Sequence, residues 1–202
     1  MKVLVTGFEA FGGVEGNPSG EVLDLLPDML GPIQIVKQVL PVVFVDAGWQ
    51  IAAALTEELP DLVLCLGLKS GATALELERI AINLDDAYMP DNAGDQPRER
   101  PILADGPDGI FSPLPLTRMQ KAIRAAGVPA QLSNSAGTYV CNHVFYVALM
   151  TARELAPPPP VGFIHLPLTP QQALLRHDRP SLALEDMRRG LVAALAAALD
   201  SL

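Results

Sequence analysis

The segment DLVLCLGL, residues 61–68, decides the fold class of this 202-residue chain. It is an almost uninterrupted apolar run, which is typical of a strand covered on both faces, as in parallel sheets. Shorter apolar runs at residues 3–8 and 161–166 and a segment at 130–134 also predict strands. A further strand is expected over 33–43, where β-branched and polar residues mix. Together these segments predict a twisted, mostly parallel central sheet.

Helical patterns alternate with these strands. Asn17-Pro18 has the residues of a helix start, and the helix predicted from it runs to about Leu30, with a break or kink at Pro27. The other helices are expected at residues 46–59, 116–126, 141–155 and 182–199. This alternation predicts an α/β fold, a three-layer α/β/α sandwich that forms a single domain over residues 1–202. The last helix is so rich in Ala and Leu that it belongs either in the core or at a subunit contact.

Two segments are less regular. Residues 75–84 alternate only in part and predict an edge strand or one arm of a hairpin. Residues 85–113 are rich in Asp, Asn, Gly and Pro, and a loop of this length is functional or ordered by turns. The four prolines at 157–160 predict a turn between a helix and a strand.

Composition excludes several classes of partner. The net charge is −9, so nucleic acid and anionic membranes are repelled as main partners. Two cysteines do not make a disulfide framework. The apolar run after Lys2 is too short for a signal peptide, and none reaches the roughly 18 residues of a membrane span. We therefore expect a cytoplasmic protein.

Familiar ligand motifs do not fit. The glycine-rich segment GFEAFGG, residues 7–13, follows the first strand but matches neither a dinucleotide fingerprint nor a P-loop. The three histidines do not pair at metal-ligand spacing, and the acidic residues of the 85–113 loop lack the spacing of a calcium loop. No metal site is predicted.

The segment SNSAGTYVCNHVFY, residues 133–146, points to chemistry. It leads through small and polar residues into Cys141, which we expect at the N-terminus of a helix. Unpaired N–H groups there favour the thiolate by lowering the pKa of the thiol, and they can also stabilise an oxyanion. A buried structural cysteine remains the alternative for Cys141. Cys65, which lies mid-strand between leucines, is expected to be structural.

A thiolate nucleophile needs a base. His143 is two residues from Cys141, and residues at this spacing point to different faces of a helix. His165 ends an apolar strand, where α/β sheets face their ligand crevice, so it is the better base, although a core histidine is the alternative. His177 is expected on the surface. Spacing alone cannot select the orienting acid among 23 carboxylates.

The chain resembles the pyroglutamyl peptidase I family of cysteine peptidases over essentially its whole length. The resemblance rests on the following segments: VTGFEAFGG (5–13), NPS (17–19), ERIAIN (78–83), PDN (90–92), SNSAGTYVCNH (133–143) and GFIHLP (162–167). It implies an α/β/α sandwich with Cys141 as nucleophile, His165 as base and Glu78 as orienting acid. It also implies no metal or cofactor, peptides with an N-terminal pyroglutamate as partners, a cytosolic location and a homodimer or homotetramer.

The resemblance further implies an apolar pocket for the neutral lactam ring. Phe8 and Phe11 correspond to the phenylalanines that line this pocket, and Tyr139 and Val140 contribute a wall. Leu68 and Met89 complete the expected substrate-binding set.

The chain departs from the family pattern near this pocket. Leu68 replaces a glutamine, Ala72 and Tyr88 replace arginines, and Glu76 replaces a Ser or Thr two residues before the acid. Three hypotheses follow. The first is hydrolysis after an N-terminal pyroglutamate, the second is a related thiol amidase or acyl hydrolase with altered specificity, and the third is a non-catalytic pyroglutamate-binding scaffold.

Overall fold

A seven-stranded sheet lies at the centre of the molecule in the computed structural model, which describes residues 1–13, 15–176 and 179–202. Within those ranges the strands are β1 (Lys2–Phe8), β2 (Met29–Leu30), β3 (Ile33–Leu40), β4 (Leu62–Leu68), β5 (Leu75–Glu78), β6 (Ile80–Ile82), β7 (Gly109–Phe111), β8 (Ala130–Ser133) and β9 (Val161–Leu166). The order across the sheet is β2-β3-β1-β4-β9-β5-β8.

The predicted, mostly parallel sheet is confirmed. β3, β1, β4 and β9 run parallel to one another, while β5 and β8 are parallel to each other but antiparallel to β9. The short β2 pairs antiparallel with β3 at one edge. β6 and β7 form a separate two-stranded antiparallel sheet.

Helices cover both faces of the sheet, as a three-layer sandwich requires. They are α1 (Pro18–Leu25), α2 (Phe44–Glu58), α3 (Leu116–Ala125), α4 (Val140–Arg153), α5 (Pro170–Leu174) and α6 (Leu184–Leu199). The apolar residues of α1, α3 and α6 join one core cluster, and those of α2 and α4 join the other. Leu191 and Leu195 of α6 are fully buried, so this helix belongs to the core.

The junction between β1 and α1 fixes the first loop. Asn17 caps α1 by accepting a hydrogen bond from the N–H of Ser19 at 3.1 Å, and the N–H of Phe8 donates to Ser19 Oγ at 3.0 Å. A Cβ on Gly7 would lie 1.9 Å from the Ser19 carbonyl oxygen, so only glycine permits this close approach. The end of β1, which carries Phe8, is therefore held tightly against the start of α1.

Several boundaries differ from the prediction. The first helix ends at Leu25 rather than near Leu30, because Pro27 stops it and Met29–Leu30 become the edge strand β2. The next strand ends at Leu40 instead of residue 43, and α2 begins directly afterwards at Phe44. The short α5 was not predicted, since five residues give too little periodicity to recognise.

The segment 75–84 is two strands, and its first half is not an edge strand. β5 lies between β9 and β8 inside the sheet, whereas β6 pairs antiparallel with the distant β7 instead of forming one arm of a tight hairpin. The 85–113 segment contains β7 and is ordered by turn contacts, among them the bridge between Asp85 and Arg100. The many Asp, Asn, Gly and Pro residues of this segment therefore form ordered turns.

Candidate active site

Cys141 is the second residue of α4. Tyr139 precedes the helix with an extended backbone and makes no side-chain cap, so it leaves the N–H groups of the first turn without a capping side chain. A Cβ on Gly67 would lie 2.8 Å from Cys141 Sγ and 2.8 Å from the Phe163 ring. The thiol therefore lies directly over β4, in the space that the glycine leaves.

His165 lies beside this thiol in the middle of the sheet. It is the register partner of Gly67 in the β4–β9 pair and is almost fully buried. Phe163, two residues earlier, packs in the cluster beneath α4, and alternation places His165 on that same face. The sheet thus brings His165 and Cys141 together on the α4 side.

Glu78 ends β5 and completes the arrangement. His165 Nδ1 and Glu78 Oε1 are 2.8 Å apart, and both side chains are buried. An ionised carboxylate only accepts hydrogen bonds, so Nδ1 carries the proton and Nε2 of a neutral ring is left as a free base. The second oxygen, Oε2, is buried without a hydrogen-bond partner among the described residues.

The electrostatics of Cys141 differ from the expectation. Burial, followed by the negative charge of Glu78 and the nearby Cys65, raises the pKa of Cys141 to about 12. The residue's own backbone N–H lowers this pKa, in the direction expected at a helix N-terminus, but burial outweighs it. The surroundings of Cys141 therefore favour the neutral thiol in the resting site over the expected thiolate, although part of the residue reaches the surface.

Cys65 lies in the same strand as Gly67 and is fully buried. Burial is the main cause that raises its pKa to about 12. Both cysteines are free. A thiol this far from solvent is unreactive, in keeping with the structural role expected mid-strand.

A small apolar cavity opens beside the thiol. Its lining consists of Phe8, Phe11, Asn17, Val42, Leu68, Tyr139, Val140 and Cys141. Five of the six expected pocket residues are therefore brought together here. The free volume is about 10 Å³, roughly the space of one water molecule.

Met89 is the expected pocket residue that does not line this cavity. Its Cε would lie 3.3 Å from a Cβ on Gly12, which places it against the first loop. Sequence reasoning missed Asn17 and Val42 as cavity residues. Asn17 was recognised only as a helix cap, and no signal in the sequence singles out Val42.

Aromatic rings form the outer wall of the cavity. Tyr139 packs edge-on against Phe44 with ring centroids 5.4 Å apart and lies 6.2 Å from Phe11. Its hydroxyl donates to the Pro90 carbonyl at 3.0 Å. Tyr88 is 70% exposed and has its ring centroid 5.4 Å from that of Tyr139.

Among the described histidines, His143 lies apart from this arrangement. His143 points towards α2, where a Cβ on Gly48 would lie 2.7 Å from its Nε2, and its Nδ1 is 2.9 Å from Asp85 Oδ2. His177 lies outside the described residues. Within the described ranges, no group of three or more His, Cys, Asp and Glu side chains could hold a metal ion.

A helix-terminal thiol beside a buried His–carboxylate pair on an α/β sheet defines the class of cysteine hydrolases. The family profile described as pyroglutamyl peptidase matches residues 1–201. The chain belongs to this family.

Proteins with similar sequences match this chain along almost their whole length. The pyrrolidone-carboxylate peptidase of Alkaliphilus oremlandii is 42% identical over 201 residues, covering 100% of this chain and 94% of the relative. That of Thermosipho melanesiensis is 43% identical over 200 residues, with 99% of each chain covered.

The solved structures that this chain resembles are also peptidases of this kind. The crystal structure of pyroglutamyl peptidase I from Bacillus amyloliquefaciens has a TM-score of 0.93 at 38% identity and covers 98% of this chain and 94% of its own. A mutant pyrrolidone carboxyl peptidase from the hyperthermophile Pyrococcus furiosus has a TM-score of 0.97 at 38% identity, with 100% of both chains covered.

Proposed function

We propose that this protein is a cysteine peptidase that hydrolyses the amide bond after an N-terminal pyroglutamyl residue. The observation that carries the proposal is the 2.8 Å contact between His165 and Glu78 beside Cys141, in a chain of this family. The names of the relatives favour neither an altered acyl specificity nor a non-catalytic scaffold.

The chemistry follows from the neutral thiol. Because the pKa of Cys141 is raised to about 12, a base has to take up its proton for the sulfur to attack the pyroglutamyl carbonyl. His165 Nε2 accepts that proton, and Glu78 stabilises the resulting imidazolium through Nδ1–H. The N–H groups at the start of α4 hold the oxyanion of the tetrahedral intermediate.

The intermediate then collapses. The C–N bond breaks, His165 returns its proton to the leaving amine, and a thioester to Cys141 remains. Water then attacks this thioester, and His165 accepts a proton from the attacking water. The protonated imidazole then returns the proton to Cys141, which frees pyroglutamate and restores the neutral thiol.

The cavity supports a lactam as the acyl group. None of its lining residues carries a formal charge while Cys141 is protonated, so no carboxylate is placed to bind a substrate ammonium. A neutral ring with no free amine suits such a lining better than an ordinary N-terminus. Since the free volume is about 10 Å³, the half-buried Phe11 and Tyr139 must move for the ring to bind.

Turnover of a pyroglutamyl fluorogenic amide tests the function. Wild type should cleave it and leave a free-amine prolyl amide intact, and Cys141→Ala should abolish cleavage. Cys65→Ala is the matched control, because it removes the other free thiol and should keep most of the activity. Wild-type turnover in Cys141→Ala, or equal cleavage of the prolyl amide, would refute the proposal.

We further propose that the enzyme works in the cytoplasm, on peptides that carry an N-terminal pyroglutamate, as a homodimer or homotetramer. Two free thiols and an acidic net charge are in keeping with a reducing compartment and with no nucleic-acid partner. On α2, Val45 and the 75%-exposed Trp49 give an apolar surface for self-association. Sedimentation of wild type and Trp49→Glu tests the assembly, since a monomeric wild type would refute it.

Within the described part of the chain, the helices are all too short or too polar to cross a bilayer.

A further inference from the structure

A second carboxylate is buried beside the catalytic pair. Glu76 is 6% exposed, and each of its two oxygens accepts one hydrogen bond. Lys69 Nζ donates to Oε2 at 2.5 Å, and Gln131 Nε2 donates to Oε1 at 2.9 Å. A carboxylate this deep is stable only when it is paired and hydrogen-bonded, and these two contacts meet that need.

Glu76 is also the register partner of His165. The two residues face each other across the antiparallel β5–β9 pair, so their side chains rise from the same face of the sheet. Directly opposed Cβ atoms lie about 5 Å apart. Glu78, two residues further along β5, shares that face. His165 therefore lies next to two carboxylates but is hydrogen-bonded to Glu78 alone.

Lys69 and Gln131 determine what the second carboxylate does. Lys69 follows β4, its N–H donates to the Leu166 carbonyl at 2.9 Å, and its side chain is 42% exposed. Gln131 lies on β8, on the far side of β5 from His165. These partners draw Glu76 away from the ring and neutralise its charge. Without them, an uncompensated negative charge beside the ring would favour the imidazolium, which cannot act as a base.

We propose that Lys69 and Gln131 are positioning residues that hold Glu76 away from His165 and neutralise it, so that Glu78 alone serves the base at neutral pH. This inference rests on the proposed function, because it concerns the base of that reaction. Lys69 compensates the buried charge of Glu76 through the ion pair to its Oε2.

The titratable and charged groups of the His165 region lie on several elements. They are Glu76 and Glu78 on β5, Cys65 on β4, Cys141 on α4, Lys69 in the turn after β4, and Arg179, whose guanidinium lies next to Gly71 of that turn. Lys69→Met removes a single positive charge, the ammonium group paired with Glu76, and leaves the other groups unchanged.

The experiment is a pH profile of kcat/KM on the pyroglutamyl amide from about pH 5 to 9. In Lys69→Met, the acid limb should move up by about one pH unit, as expected for a partly buried charge roughly 6–8 Å from the base. In the double variant Lys69→Met/Glu76→Gln, which removes both charges, the limb should return to its wild-type position. Lys69→Arg should retain the wild-type profile.

A surface pair supplies the matched control. Lys37 of β3 donates to the exposed Asp28 at 2.6 Å. Lys37→Met removes the lysine of this pair, so its acid limb should not move. An unmoved limb in Lys69→Met would overturn the inference, as would a double variant that stays shifted. A rise in KM at every pH with no shift would instead mean that Lys69 contacts substrate.

The imidazole resonance of His165, assigned with His165→Asn, provides a readout that needs no turnover. It should titrate at higher pH in Lys69→Met than in wild type. If wild type does not cleave the amide, the proposed function fails, while this titration still confirms or overturns the effect of Lys69 on His165.

Discussion

Gly67→Ala should disable the site without unfolding the protein. The added Cβ would lie 2.8 Å from Cys141 Sγ and 2.8 Å from Phe163 Cζ, and β4 is a central strand that cannot yield easily. Atoms in ordinary contact are about 3.5–4.0 Å apart, so the sulfur and the ring must retreat by about 1 Å. We therefore expect the thiol to move relative to His165.

The size of the effect follows from that displacement. A 1 Å misplacement of a reacting group costs about 10²-fold in rate, so kcat/KM on the pyroglutamyl amide should fall by about that factor. Overpacking a core position costs about 1–3 kcal/mol, which should appear in the free energy of unfolding measured with urea. Loss of activity should therefore exceed anything explained by the unfolded fraction.

Gly190→Ala is the matched control. Its Cβ would lie 3.0 Å from Leu75 Cδ2 on the other face of the sheet, far from the thiol. Stability should change slightly, because Ala favours the helix by about 1 kcal/mol over Gly, and kcat/KM should be unchanged. The contrary result is a folded Gly67→Ala that keeps kcat/KM within about threefold of wild type, which corresponds to less than about 1 kcal/mol of activation free energy. That result would refute the placement of the nucleophile over β4.

Three further predictions concern the same region. Glu78→Gln should lower kcat by about 10²–10⁴-fold because the imidazolium loses its counter-charge, and turnover close to wild type would contradict the role of the acid. With the pKa of Cys141 raised to about 12, its alkylation by iodoacetamide should be slow at pH 7 and rise about tenfold per pH unit above it, whereas the fully buried Cys65 should stay unlabelled until unfolding. Fast labelling of Cys141 that does not change between pH 6 and 9 would show a resting thiolate. Asn142→Ala removes the three hydrogen bonds by which this buried side chain ties α4 to the backbone of residues 82–84. Urea unfolding should show a loss of about 2–4 kcal/mol, and a negligible change would contradict this role.

The sheet could be predicted because its strands are apolar runs with no competing pattern. Residues 61–68 and 161–166 match β4 and β9 closely. The position of β5 could not be predicted, since a four-residue strand with two glutamates has the composition of an edge. It lies inside the sheet because Glu76 and Glu78 are both paired with partners far away in the sequence.

The candidate site was predicted unevenly. A helix-terminal cysteine and a strand-ending histidine are visible as local patterns, so placement makes Cys141 and His165 candidates, and the resemblance assigns their roles. Glu78 came from the resemblance alone, because its contact with His165 spans 87 positions. The raised pKa of Cys141 could not be predicted, since it depends on burial beneath neighbouring elements rather than on its position in α4.

The reversed direction of β5 has a consequence for how the enzyme matures. The carboxylate, the thiol and the imidazole come from separate stretches of the chain, and the strand carrying the carboxylate is inserted between β9 and β8, which follow it in sequence. Loop closure over such distances is slow, so β5 is enclosed only after the C-terminal half has been synthesised and collapsed. Turnover during refolding should consequently recover later than helical circular dichroism. A nascent chain should therefore have no peptidase activity until nearly its whole length has left the ribosome.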